Sequence, residues 1–246
     1  MNKSIWLVQQ GADSRYILSI LNFLLPEYIR IFGKRNMSCE PCIVYNDPQS
    51  TYPMLITNTA PIMIRLAQKS LTYWAQTIFQ LSHELCHYAM RQAKPDKNFT
   101  LSWFEEIVCE AMSLYALQWS AEHWENCELY SINAKFNHSI NEYLSIQLQA
   151  IGNNAFQQCT SIEALKNYVA DAERESHRNE RNQLYGAIAK DPLACLCFCD
   201  YPQYVDSNHV TIDFASWEEN DSNPMIRLLH SFQPCQRKSS EENKHE

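Results

Sequence analysis

His83-Glu84-Leu85-Cys86-His87 is the stretch on which the reading of this chain turns, and Glu106 follows its second histidine after eighteen intervening residues. Residues four apart share a helix face, so His83 and His87 point at one spot. Two neutral imidazoles at that spacing suit a zinc ion. Glu84 stands beside the first ligand, where its carboxylate reaches a water rather than the metal. A third ligand has to come from elsewhere, with one position left open for water. Glu106, in Trp103-Phe104-Glu105-Glu106, is the candidate.

The flanking sequence supports helices on both sides. Trp74, Ile78, Phe79, Leu81, Leu85, Tyr88 and Ala89 give the motif helix, about Leu71 to Ala93, a broad apolar surface, and Lys94-Pro95-Asp96-Lys97-Asn98 breaks it. A second helix is expected from about Ser102 to Trp124, with Ser102 and Glu105 spaced as a capping box. Glu106 and Glu110 lie four apart on one face of it. Glu105 points about a quarter-turn away, toward the cap or solvent. Glu106 is therefore assigned as ligand and Glu110 as the group that orients a ligand histidine through its other ring nitrogen. Exchange of these two roles is the alternative within the site.

The pattern H-E-x-x-H-x18-E, with W-x-x-E around Glu106, resembles the gluzincin metallopeptidases, and its spacing is closest to their aminopeptidase branch. The resemblance covers about Thr72 to Ala116. It implies a zincin-like fold in which His83, His87 and Glu106 bind Zn²⁺ and Glu84 is the general base. It also implies a small sheet beside the motif helix whose edge strand holds an extended substrate by main-chain pairing. The 62–66 run, immediately before the motif helix, is the candidate edge strand; a plain hairpin of 54–56 and 62–66 around 57–61, with no substrate role, is the equal alternative.

The remainder bounds the class. The 246 residues are 46% hydrophobic with only four glycines, which points to a mostly helical globular chain. A net charge of −8 without a basic cluster argues against nucleic acid and anionic membrane as partners. No uninterrupted apolar run spans a bilayer, and the N-terminal apolar stretch is too short for a signal-peptide core, so the expected location is the cytoplasm. The ten cysteines then read as reduced thiols. Cys39-x-x-Cys42 with Cys195-x-Cys197-x-Cys199 has the makings of a second metal site, but alternation in the latter also suits plain burial, the favoured reading.

Along the chain, 4–8, 42–45, 54–56 and 62–66 read as short strands, and Asp13 to about Phe32 as a helix with a kink at Pro26. Helices are expected over 132–151 and 161–190. On the latter, Arg174, Arg178, Arg181 and Tyr185 form a stripe, read mainly as a solvated charged face. If that stripe faces the cleft, Tyr185, with His177 behind it, is the preferred donor to the oxyanion formed when water attacks a carbonyl. The polar tail from 236 to 246 is expected to be disordered.

Together these readings predict one mostly helical α+β domain. Residues 1–125 carry the sheet and metal site, and helical residues 126–235 close the cleft. The predicted activity is zinc-dependent hydrolysis of a peptide or protein substrate. Two alternatives differ in class. One is a repressor-cleaving regulatory metalloprotein, whose E-A-N sequence is matched in part by Glu110-Ala111-Met112. The other is a non-catalytic helical interaction protein with core histidines.

Overall fold

The computed structural model describes residues 5–11, 14–70, 72–94, 96–97, 99–171 and 174–234. Asp13, Leu71, Pro95, Asn98 and the 236–246 tail, all named above, lie outside the described residues, as does the side chain of Arg174.

Four short strands, β1 (Trp6–Val8), β2 (Cys42–Asn46), β3 (Met54–Ile56) and β4 (Ile62–Leu66), form one sheet in the order β1-β2-β4-β3. β1, β2 and β4 run parallel, while β3 pairs antiparallel with β4, Leu55 opposite Ile64. This corrects the edge-strand expectation. β4 is an inner strand with β2 and β3 on its two sides, so β3 is the edge. The sequence reason is visible in β4 itself: Ile62, Ile64 and Leu66 alternate into the core, as an inner strand packed on helices requires.

Helix α1 (Ser14–Met37) crosses from β1 to β2. Pro26 sits inside it without interrupting it. The break expected there falls instead at Gly33 (φ 78°, ψ 151°), where the missing Cβ permits positive φ. α1 is long and apolar enough to cross a membrane by length and composition, and 56% of its most apolar window is buried inside the protein, as in a core helix. Tyr28 at its centre donates to Ser82 O on the motif helix at 2.9 Å.

The motif helix α2 (Trp74–Ala93) lies between α1 and α3 (Ser102–Glu122). Gln80 anchors it to the end of β4, accepting from Ala67 N at 3.0 Å and donating to Ala67 O at 3.2 Å. It ends where Lys94 turns extended (φ −71°, ψ 136°), the conformation favoured before a proline such as Pro95. α3 is apolar on every side, with Ile107, Val108, Cys109, Ala111, Met112 and Leu114 in succession around Glu110, and it is buried accordingly.

The expected 161–190 helix is two, α5 (Ile162–Asp171) and α6 (Arg178–Ile188), with a 3₁₀ turn at Arg174–His177 between them; α4 (Phe136–Gln149) precedes them. A 3₁₀ segment, Pro192–Gln203, packs on α1 and α2, and α7 (Phe214–Asn220) and α8 (Pro224–Phe232) complete the chain. Buried side chains from Trp6 to Phe232 form one core, so the halves on either side of residue 125 are parts of one mostly helical α+β unit. Cys195, Cys197 and Cys199 are buried free thiols in that core and Cys39 is exposed; the first three sit on the 3₁₀ segment, where Phe198 is buried as well, so burial does not follow the alternation.

Candidate metal centre

His83 and His87 stand one turn apart on α2, and Glu106 meets them from α3. The two Nε2 atoms are 3.1 Å apart. Glu106 Oε2 lies 3.4 Å from His83 Nε2, and Oε1 lies 3.3 Å from His87 Nε2. Ligand atoms held tetrahedrally at zinc distances are separated by about 3.3 Å; here one ligand atom from each residue lies within 4.8 Å of the others, close enough for the group to hold one such ion. Among the described residues, this is the one group of His, Cys, Asp or Glu side chains so placed.

The electrostatics fit a cation too. His87 Nδ1 is 3.1 Å from Glu105 Oε2. With Nδ1–H donating there, the Nε2 lone pair faces His83 and Glu106. Two ring nitrogens and a carboxylate converging on one point attract positive charge. Burial opposes a charge on His87, but Glu105, Glu106 and Glu84 outweigh it and hold the imidazole pKa well above its ordinary range, so a metal ion competes with a proton for Nε2. Burial would likewise raise the Glu106 pKa, and His83 and His87 instead hold it well below the carboxylate range. The Nδ1 of His83 is buried without a hydrogen-bond partner among the described residues.

Glu105 corrects the sequence reading. It is buried rather than solvated, and it takes the orienting place assigned to Glu110. One of its oxygens faces His87, and the other accepts from Lys94 Nζ at 2.5 Å, from the Tyr201 hydroxyl and from Leu101 N at 3.3 Å. The expected Ser102–Glu105 capping box is not formed: Leu101 rather than Ser102 takes the cap position, and no side chain caps it. Burial would raise the Glu105 pKa, yet His87 and Lys94 keep it lowered, while burial and the same carboxylate push the Tyr201 phenol well above its ordinary range. The physical reason is that a quarter-turn from Glu106 is not solvent on a helix buried all round. It is the angle needed for adjacent glutamates to meet the two nitrogens of one imidazole. The apolar run on every face of α3 was the available sequence signal.

Glu110 points to a different partner. Its Oε2 accepts from Arg181 Nη1 at 3.1 Å, with both side chains buried, and Arg181 also donates to Gln147 O at 2.7 Å. The arginine stripe is therefore not a solvated face at Arg181. Tyr185 is also corrected: its hydroxyl donates to Gln118 Oε1 at 2.7 Å. Gln118 stands twelve residues beyond Glu106 on α3, about 18 Å along the helix. His177 does reach the neighbourhood of the site, in the wall of a cavity it shares with Glu106.

Glu84 lines the cavity that holds His83 and His87. Tyr52, Pro53, Met54, Leu55 and Thr57, from β3 and its flanks, form one wall, and Arg91, Lys94 and Lys97 stand at the far end of α2. Arg91 and Lys97 both pair with Glu40. Among the described residues, the edge of β3 away from β4 has no strand partner. The arrangement can hold a divalent cation, set a carboxylate beside it and offer main-chain groups along one side. No protein-family model, curated protein or solved structure matches the chain.

Proposed function

We propose that this protein is a zinc-dependent metallopeptidase. The observation that carries the reading is the convergence of His83, His87 and Glu106 at zinc-ligand spacing, with Glu84 in the same cavity. The resemblance of H-E-x-x-H-x18-E to the gluzincins points the same way. Zinc in such a site supplies a Lewis acid that makes water a nucleophile near neutral pH and polarises a carbonyl.

The chain's own residues do the rest. His83, His87 and Glu106 hold the ion, and Glu105 fixes the tautomer of His87 so that Nε2 presents its lone pair. Glu84 takes the proton of the attacking water and passes it to the leaving amine. The free edge of β3 holds an extended peptide by main-chain pairing across the cavity. In this reading β3 takes the substrate role first given to residues 62–66.

The test is Glu84→Gln. It should retain zinc and lose cleavage of a mixed peptide library. A Glu84→Gln protein that cleaves as fast as the parent would sink the mechanism.

A further inference from the structure

We infer that a second cavity beside the metal centre selects an aromatic residue next to the bond that is cut; the inference rests on the peptidase reading above. This cavity, of about 450 Å³, has Glu106 and Tyr52 in its walls, and both also line the cavity of the candidate centre. Its apolar walls are Trp103, Tyr168, Val169 and Tyr52. None of the last three lies on the two motif helices.

Trp103 stands three residues before Glu106, on the same face of α3. One helical turn therefore carries both the candidate ligand and the cavity wall. The indole is fixed: its Nε1–H donates to Val210 O at 2.7 Å, and its ring lies 5.4 Å from that of Phe156. Tyr168 is held through its hydroxyl by Ser176. Tyr52, half exposed at the mouth, has the Arg65 guanidinium 5.7 Å from its ring centre. Three aromatic walls, two of them fixed, offer faces and edges that favour another ring over an aliphatic chain. The polar part of the lining is Ser102, His177 and Glu106, whose carboxylate is committed to the metal site.

The free edge of β3 supplies the register. A peptide paired along it turns alternate side chains to opposite faces, so a residue flanking the bond held over Glu84 presents its side chain to this neighbouring cavity. The cavity meets the strand at the Tyr52 end.

The experiment maps the cleavage sites made by the zinc-loaded full chain in a degenerate peptide library, by mass spectrometry. Phe, Tyr or Trp should dominate one flanking position, by about tenfold or more in kcat/KM over Ala and Glu. Val169→Phe should fill the cavity and shift preference toward small residues with zinc content unchanged. Val169→Ala, which adds no bulk, should keep the aromatic preference. Cleavage with no aromatic preference, or a preference that Val169→Phe leaves unmoved in a folded zinc-loaded protein, overturns the cavity assignment and leaves the peptidase reading standing. A folded chain that holds zinc and cuts no peptide overturns the peptidase reading, and this inference with it.

Discussion

Replacing Glu105 by Gln separates two jobs that one carboxylate performs. Its side chain and that of Lys94 are 2% and 3% exposed, and their charged atoms are 2.5 Å apart. Removing one partner of a buried pair strands the other charge, at a cost of about 3–5 kcal/mol. Glu105→Gln should therefore lower the unfolding free energy by that amount, read from urea denaturation of the metal-free chain. Lys94→Met in the same background removes the stranded charge and should recover most of the loss. The second job is the hydrogen bond to His87 Nδ1. Losing the charged acceptor should weaken zinc binding about 10–100-fold, measured by competition with a chelator. The double variant should not recover this, because the lysine does not touch the histidine's ring in the contacts above. A Glu105→Gln chain with parental stability and zinc affinity would refute the reasoning. So would a double variant that restores affinity together with stability.

Glu110→Ala should destabilise the fold by about 3–5 kcal/mol by stranding Arg181, whose side chain is 2% exposed, while zinc affinity in the folded protein stays within about twofold; chemical denaturation and chelator competition check the two halves. Tyr185→Phe loses only the hydrogen bond to Gln118 and should cost about 1 kcal/mol with turnover unchanged, so a large fall in kcat would return this tyrosine to the site. Glu27 is buried and accepts from Arg30 at 2.6 and 2.7 Å and from Tyr115. Burial would raise its pKa, but Arg30 and Tyr115 outweigh that and hold it below its ordinary 4.5. A depressed folded pKa contributes stability above pH 4.5 that is lost as pH falls through the folded value. Glu27→Gln should thus cost about 1–2 kcal/mol at pH 7, discounted because Arg30 is half exposed, and the difference from the parent should shrink on acidification below about pH 4. An unfolding-energy difference that stays flat from pH 7 to pH 3 would contradict the assignment.

What the sequence made legible is what local spacing controls. The i, i+4 histidines, the glutamate interval and the breaks around 94–98 place α2 and α3 with the candidate ligands facing one another. The strands were also readable as short apolar runs, and β3 with β4 forms the hairpin that 57–61 suggests. Sheet order was not readable, because β4 reaches its inner place by pairing in parallel with β2 across twenty residues, and nothing local encodes that partner. The roles of Glu105 and Glu110 depended on what packs around α3: Lys94 and Tyr201 on one side, Arg181 on the other. Tyr201 and Arg181 come from distant segments, so a helical-wheel argument that assumes one wet face misplaces both glutamates. Tyr185 failed because it lies about two turns beyond His177 along α6, where its hydroxyl meets Gln118 rather than the metal-site end of α3.

The central claim is that His83, His87 and Glu106 form a zinc site. Elemental analysis of the purified chain and of His83→Ala, both shown to be folded, tests it most directly. The account predicts about one zinc per chain in the parent and loss of that zinc in the variant. A folded parent that carries no zinc and takes up none when zinc is supplied would contradict it.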